Sequence, residues 1–464
     1  VIPRVAGALV ALAMLGAAAT GAAGAQDLPP LVGDWAGNLD TGGAGTLRIV
    51  FHVTQGSDGR LGATMDSPDQ GAYGIAAGPV TRDGRDVRIE VGAVGGHYEG
   101  TFSEDGGRIE GTWHQGGASL PLALAPTTES APKRPQEPRP PYPYETREVR
   151  FESVADGVTL AGTLTVPPGD GPFPAVVLVS GSGPQDRDET VFGHRPFLVL
   201  ADALTRRGIV VLRYDDRGVG ESTGNIATAV TADFAADAEG AVRYLAPLPE
   251  VAAGEIGIIG HSEGAVVAPI VANRDEDVGF VVLLASTGVT GEELLVMQLI
   301  AINRAMGVDE AITAQRSELQ RSLLGLVSET PDDSVVARRA REILAAAGVT
   351  GAGADAQVRA LLTPWMRYFL AYDPLPALRA LEVPVLALWG GKDTQVPPEG
   401  NLEPVRAALE ESESPDVTVR VLPGLNHLFQ TADTGAPTEY VSIEETMAPV
   451  ALDTIGDWIR ARTE

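Results

Sequence analysis

The sequence contains no cysteine. Disulfides, thiol nucleophiles and cysteine-based metal sites are therefore excluded. Histidine is scarce too, at 6 in 464 residues. Neither H-E-x-x-H nor a clustered His/Asp pattern is present, so no metal and no cofactor is expected. Positive charge is sparse: 34 Lys and Arg stand against 62 Asp and Glu, a net charge of −28. Such a chain repels phosphate backbones, which argues against a nucleic-acid partner, and the charge reads as a solubility feature. At 44% hydrophobic and 21% charged residues the composition is that of a globular protein. A chain of 464 residues exceeds one hydrophobic core and implies two or three domains.

What is present centres on one stretch, Glu255 to Ala268. Ile256 to Ile259 reads as a buried strand, Gly260-His261-Ser262-Glu263-Gly264 is G-x-S-x-G, and Ala265 to Ala272 reads as an apolar helix. G-x-S-x-G alone is a common turn. Between a strand and a helix it is a nucleophile elbow, with glycines flanking a serine on a strained turn. The turn presents the Ser262 hydroxyl at the carboxyl end of a sheet, beside a helix N-terminus that favours negative charge.

A serine nucleophile needs a base, and the base an orienting carboxylate. His52, His97 and His114 lie in a separate N-terminal region, where the last two read as surface residues. His194 precedes the elbow in a loop, and His261 adjoins the serine, so its side chain should leave in another direction. Only His427, in Pro423-Gly424-Leu425-Asn426-His427, follows the elbow. Upstream of it, the strand Val383 to Trp389 runs into Gly390-Gly391-Lys392-Asp393. The candidate catalytic residues are thus Ser262, Asp393 and His427, in the chain order of α/β-hydrolases rather than of chymotrypsin or subtilisin.

From about Glu148 onward the chain resembles the α/β-hydrolase superfamily. It is most similar to bacterial carboxylesterases carrying S-G-S-G-P-x-D-R-D after an early strand, here Ser180 to Asp188. Arg213 to Ser222 and Pro364 to Pro374 resemble the same group. The resemblance implies a mostly parallel central sheet flanked by helices. It implies an oxyanion hole made by backbone N–H groups, with Glu263 as one donor and Ser182 as the other, Gly183 being the alternative. Helical periodicity over Glu292–Met306, Glu310–Leu326, Val335–Ala347 and Ala356–Tyr372 marks an insertion of helices, which the resemblance implies is a cap at about 289–372. In it Trp365 and Phe369, i and i+4 on one helix face, are candidate pocket residues; Met297, Ile300, Leu323, Tyr368 and Tyr372 could line the pocket or pack the cap. Glu263 reads as a favourable anion at the helix N-terminus, and Asp215, Asp216 and Arg217 as an ion-paired loop supporting the active face.

Residues 1–25 read as a secretory signal, with Arg4, an apolar run from Val5 to Ala19 and Ala23-Gly24-Ala25 as cleavage site. Residues 26–125 alternate short β-rich runs, among them Leu47–Val53, Val87–Val91 and Tyr98–Phe102, with turns such as Arg82-Asp83-Gly84. They predict an antiparallel β domain, a small barrel or sandwich, with Trp35 and Trp113 in its core. Seven prolines between Pro126 and Pro143 make 126–147 a linker. Residues 148–464 are the hydrolase domain. The expected activity is that of a periplasmic or secreted serine carboxylesterase on small esters, with no stable membrane anchor after signal cleavage. A serine peptidase or amidase would use the same triad, although Ala265 stands where related oligopeptidases carry a further glycine and the N-terminal region lacks propeller repeats. An inactive hydrolase scaffold serving as a binding protein is the third reading.

Overall fold

The computed structural model describes residues 30–41, 46–56, 59–70, 72–128, 133–155 and 157–463. The leader-like segment 1–25 lies outside them. The described residues form two compact units, one of those up to Asp66 together with Gly74–Thr128, the other of those between Ser67 and Tyr73 together with those from 133 onward.

The first unit is an antiparallel meander. Its strands are β1 (Gly33–Asp40), β2 (Thr46–Gln55), β3 (Leu61–Ser67), β4 (Ala72–Ala77), β5 (Val80–Asp83), β6 (Asp86–Val91), β7 (Gly96–Phe102), β8 (Ile109–Gln115) and β9 (Ala118–Pro126). They pair in the order 4-3-2-1-9-8-7-6-5, so β1 and β9 meet and β4 and β5 are the edges. Period-2 alternation sends Trp35, Phe51, Ile89, Tyr98 and Trp113 into one core. Trp35 packs edge-on against Phe102, with ring centroids 5.5 Å apart, and donates to the Leu31 carbonyl.

The second unit is built on eight strands: β10 (Glu145–Glu152), β11 (Thr159–Val166), β12 (Phe173–Val179), β13 (Val210–Tyr214), β14 (Val251–His261), β15 (Val278–Leu284), β16 (Val385–Gly390) and β17 (Val417–Leu422). The order is 10-11-13-12-14-15-16-17. The sheet is mixed: β13, β12, β14, β15, β16 and β17 run parallel, while β10 and β11 are antiparallel. The reason is local, since a short turn joins β10 to β11 and only a crossover could make them parallel. From β12 the chain steps to β13 on one side and then to β14 on the other. The β12/β14 boundary is thus a topological switch point, where such sheets bind ligands at the strands' carboxyl ends.

Helices α1 (Pro196–Thr205), α2 (Thr231–Leu245) and α3 (Gly264–Ala272) cover the sheet. Helix α3 is apolar all round because it is wedged between the sheet and α2. The inserted helices are α4 (Gly291–Ala305), α5 (Glu310–Glu329), α6 (Asp333–Ala346), α7 (Gly351–Leu361) and α8 (Pro364–Ala371), followed by the short α9 (Leu375–Arg379). The continuous helix expected over Ala356–Tyr372 is two. Pro364 lacks an N–H and opens α8 at its first position, and the Thr363 hydroxyl caps it by accepting from Met366 N at 3.1 Å. The insertion has its own core of Leu324, Val327, Val336, Leu344, Val358 and Leu370. Helix α10 (Pro398–Glu410) escapes a periodicity reading because Pro398, Gly400 and Pro404 punctuate it, and Glu399 and Gly400 are non-helical. Helix α11 (Pro449–Thr463) closes the unit.

The described part of the proline-rich segment is docked, not free. The Arg134 guanidinium donates to the carbonyls of Phe192, Gly193, Val441 and Ile443 at 2.8–3.2 Å. The Gln136 amide oxygen accepts from the Thr446 and Met447 amides. Charged hydrogen bonds of this kind are each worth about 1.5–3 kcal/mol. Arg134→Ala in the full chain should therefore lower stability by about 2 kcal/mol or more. Denaturant unfolding followed by tryptophan fluorescence measures it; no change would mean that the Arg134 bonds add no net stability.

Candidate active site

Ser262 sits between the end of β14 and the start of α3 with φ of +55°, a left-handed conformation rare outside glycine. The turn is tight enough to need both flanking glycines. A Cβ on Gly260 would lie 2.0 Å from the Gly264 carbonyl oxygen, and one on Gly264 would lie 2.1 Å from that of Val179. The Ser262 amide donates to the Leu284 carbonyl at 2.8 Å, tying the turn to β15.

Asp393 follows β16 at the same end of the sheet. One carboxylate oxygen accepts from the amides of Gln395 and Val396, each at 2.8 Å, and the other accepts from His427 Nδ1 at 2.8 Å. Both side chains are buried. The pair leaves Nε2 as the basic nitrogen of His427. Asn426 shapes the His427 loop, its side-chain oxygen accepting from the amides of Leu428 and Gln430. This N-H order is what the sequence displayed. His194 has a structural role instead: fully buried, it donates from Nε2 to the Tyr440 carbonyl at 2.8 Å, and burial pulls its pKa down to about 4.

The loop after β12 meets the elbow, since a Cβ on Gly181 would stand 3.2 Å from the Ser262 Cβ. Ser182 lines a cavity with Ser262, Glu263, Leu294, Trp365 and Phe369; Gly183, at φ of +98°, does not. The free volume of that cavity is about 70 Å³. Trp365 and Phe369 stack at 4.7 Å on its wall. Leu323 belongs to the cap core instead. The Glu263 carboxylate turns away from the simple helix-end role expected of it. It is buried and accepts from Thr231 Oγ1 at 2.7 Å and Trp365 Nε1 at 2.8 Å, and burial raises its pKa.

The charged residues of the S-G-S-G-P-Q-D-R-D stretch hold this loop. Asp186 accepts from the Asp188 and Thr190 amides, and Arg187 clamps both oxygens of Asp215. Asp216 accepts from Ser180 Oγ and the Gln185 amide, with burial pushing its pKa up to about 8. Arg217 forms a two-pronged pair with Asp237 at 2.7 Å. These are supports of the active face.

Two residues were missed by sequence reasoning. Glu189 lies one position past the quoted motif and His261 was set aside for adjoining the serine. Glu189 Oε1 accepts from the Gly181 amide at 2.7 Å and from His261 Nδ1 at 2.8 Å. His261 Nε2 faces the His427 carbonyl oxygen at 3.0 Å. Both ring nitrogens thus face acceptors, so the geometry holds an imidazolium. This buried pair ties the loop after β12, the elbow and the His427 loop together.

The sequence profile of the Alpha/beta hydrolase family matches residues 176–442. The chain belongs to the α/β-hydrolase family. Among curated proteins it is similar to esterase EstD of Thermotoga maritima, 30% identical over 304 residues. That match spans 65% of this chain and 65% of the relative, less than two thirds of either. Solved structures to which the chain is similar include the Pyrococcus furiosus esterase Pf2001, at 17% identity over 68% of this chain and 91% of that one, TM-score 0.43. Another is the α/β hydrolase GrgF from Penicillium sp. sh18, at 18% identity over 69% and 99%, TM-score 0.46.

The Glu189–His261 pair has a testable signature. Burial pulls the His261 pKa down, but Glu189, the His427 carbonyl and Asp393 push it up, and the net shift is upward. A raised folded pKa contributes stability that is present below the unfolded value, about 6.5, and is lost as pH rises through the folded value. In Glu189→Gln burial prevails and the sign reverses. The substitution should therefore cost most stability at acid pH, with the deficit shrinking from pH 6 to pH 8. Urea unfolding of both proteins across that range measures it; a deficit independent of pH would contradict the charged pair.

Proposed function

We propose that this chain is a serine carboxylesterase acting on short-chain esters. The observations that carry the proposal are a left-handed serine in the turn that follows β14 and a buried Asp–His pair whose aspartate follows β16, with only β15 between those two parallel strands. Ser262 Oγ attacks the ester carbonyl while His427 Nε2 takes its proton. The Asp393 carboxylate holds Nδ1–H, fixes the tautomer and balances the imidazolium. The amides of Ser182 and Glu263 receive the oxyanion; neither donates to a protein acceptor among the described residues. The tetrahedral intermediate collapses, the C–O bond to the alcohol breaks, and His427 returns the proton to that oxygen. Water, deprotonated by His427, then releases the acid from Ser262.

The small cavity beside Ser262 supports a short acyl group, with Trp365 and Phe369 setting its length. Esters have a better leaving group than amides, and the Glu263 carboxylate in the cavity wall is engaged through Oε1 by Thr231 and Trp365. Similarity to an esterase over 65% of the chain points the same way. The pattern of Arg4, Val5–Ala19 and Ala23-Gly24-Ala25 supports export.

Ser262→Ala and His427→Ala should each lower kcat by at least about 10³ with the fold retained, and Asp393→Asn should also be severe. Turnover should run through p-nitrophenyl esters of about C2 to C6 and fall beyond. Phe369→Ala should extend that range to longer chains. Assaying the ester series beside p-nitroanilides checks all of this; faster anilide than butyrate hydrolysis would make the protein an amidase.

A further inference from the structure

The first unit carries a cluster that the hydrolase site does not use. His97 and Glu99 alternate on β7 and so share a face; His114 lies on β8 directly opposite His97. That face is the outer one, because Tyr98, Phe102, Ile109 and Trp113 take the inner positions. The two imidazole rings are stacked at 4.7 Å with 18° between their planes. His97 Nε2 lies 3.8 Å from Glu99 Oε1, and His114 Nε2 lies 3.9 Å from Glu99 Oε2. A ligand atom from each of the three residues lies within 4.8 Å of the other two.

We propose that His97, Glu99 and His114 bind a divalent transition-metal ion of the zinc class on the outer face of the β unit. A tetrahedral zinc with bonds of about 2.0–2.1 Å sets its ligand atoms about 3.3–3.4 Å apart. The His–Glu separations exceed that by only about half an ångström, within reach of small side-chain rotations. A second observation provides a partner for the outer ring nitrogen. His114 Nδ1 is 2.9 Å from Ser119 Oγ, and donation there leaves Nε2 as a lone pair directed at the site. Such outer partners are what orient metal-binding imidazoles. The other histidines are committed: His52 bonds Asp34 and Asp66, His194 bonds Thr446 and Tyr440, and His261 and His427 belong to the hydrolase site.

The position is partly exposed, with 29% and 30% of the two imidazole side chains accessible, so water or an outside ligand can complete the coordination. It borders a groove of about 550 Å³ whose acidic walls, Asp83, Asp86, Glu99 and Glu110, outnumber its two arginines. Two histidines and a carboxylate are a donor set suited to zinc or another borderline divalent ion. One competitor is present. Arg88 pairs with Glu99 and also with Glu90, so metal binding displaces Arg88 from Glu99 while its Glu90 partner remains.

Titration calorimetry of the full chain with Zn²⁺ tests the site. One equivalent should bind saturably, His97→Gln with His114→Gln should weaken binding at least about tenfold, and p-nitrophenyl butyrate turnover should not change. Arg88→Ala should tighten binding by freeing Glu99. A readout that needs no variant is the visible absorption of bound Co²⁺, which should show four- or five-coordinate nitrogen–oxygen bands. Absence of saturable binding at millimolar Zn²⁺, or equal affinity in the double variant, would overturn the proposal and leave the cluster as a histidine–glutamate ion pair.

Discussion

Everything in the second unit is arranged about one backbone constraint, the left-handed turn at Ser262. A non-glycine residue held at positive φ costs roughly 1–3 kcal/mol and persists only where its surroundings over-determine it. Here they do. The Ser262 amide is tied to β15, α3 is packed on all sides, and the 2.0 Å and 2.1 Å approaches at Gly260 and Gly264 leave no room for the turn to relax. In the proposed reaction this strain exposes the nucleophile, and the helix N-terminus behind it favours the charge that develops.

The rest of the machinery is brought to that point by charge, mostly buried and mostly paired. Arg187–Asp215 and Arg217–Asp237 pin the loops after β12 and β13, and Asp393–His427 holds the imidazole proposed as the base. Glu189–His261 spans the gap between them, its carboxylate on the Gly181 amide and its imidazole on the His427 carbonyl. Removing one partner of a buried pair leaves an uncompensated charge, which costs about 3–5 kcal/mol. The network therefore resists the small displacements to which a catalytic geometry is most sensitive.

Much of this was legible in the sequence, for definite reasons. G-x-S-x-G between an apolar strand and an apolar helix, and a single histidine downstream of it, single out Ser262 and His427 as candidates; the strand ending in G-G-K-D singles out Asp393, which the fold pairs with His427. Strands β12 to β16 are largely buried on both faces and read as continuous apolar runs. What escaped has physical causes as well. The break before α8 rests on one proline, Pro364, inside an otherwise periodic run. Helix α10 hides behind two prolines and a glycine. The antiparallel pairing of β11 with β13, and the docking of Arg134, depend on residues about 50 and 310 positions away, which no local pattern encodes. Glu189 and His261 were invisible for the same reason, because their meaning lies 72 residues apart in the chain.

The central claim is that the Ser262 hydroxyl is the activated nucleophile. A fluorophosphonate probe tests it directly, since it phosphonylates an activated serine by the same attack that opens an ester. Peptide mapping by mass spectrometry should find one equivalent of probe on Ser262, with ester turnover lost in proportion to labelling. Labelling at another serine, or full labelling of Ser262 with turnover intact, would contradict the account.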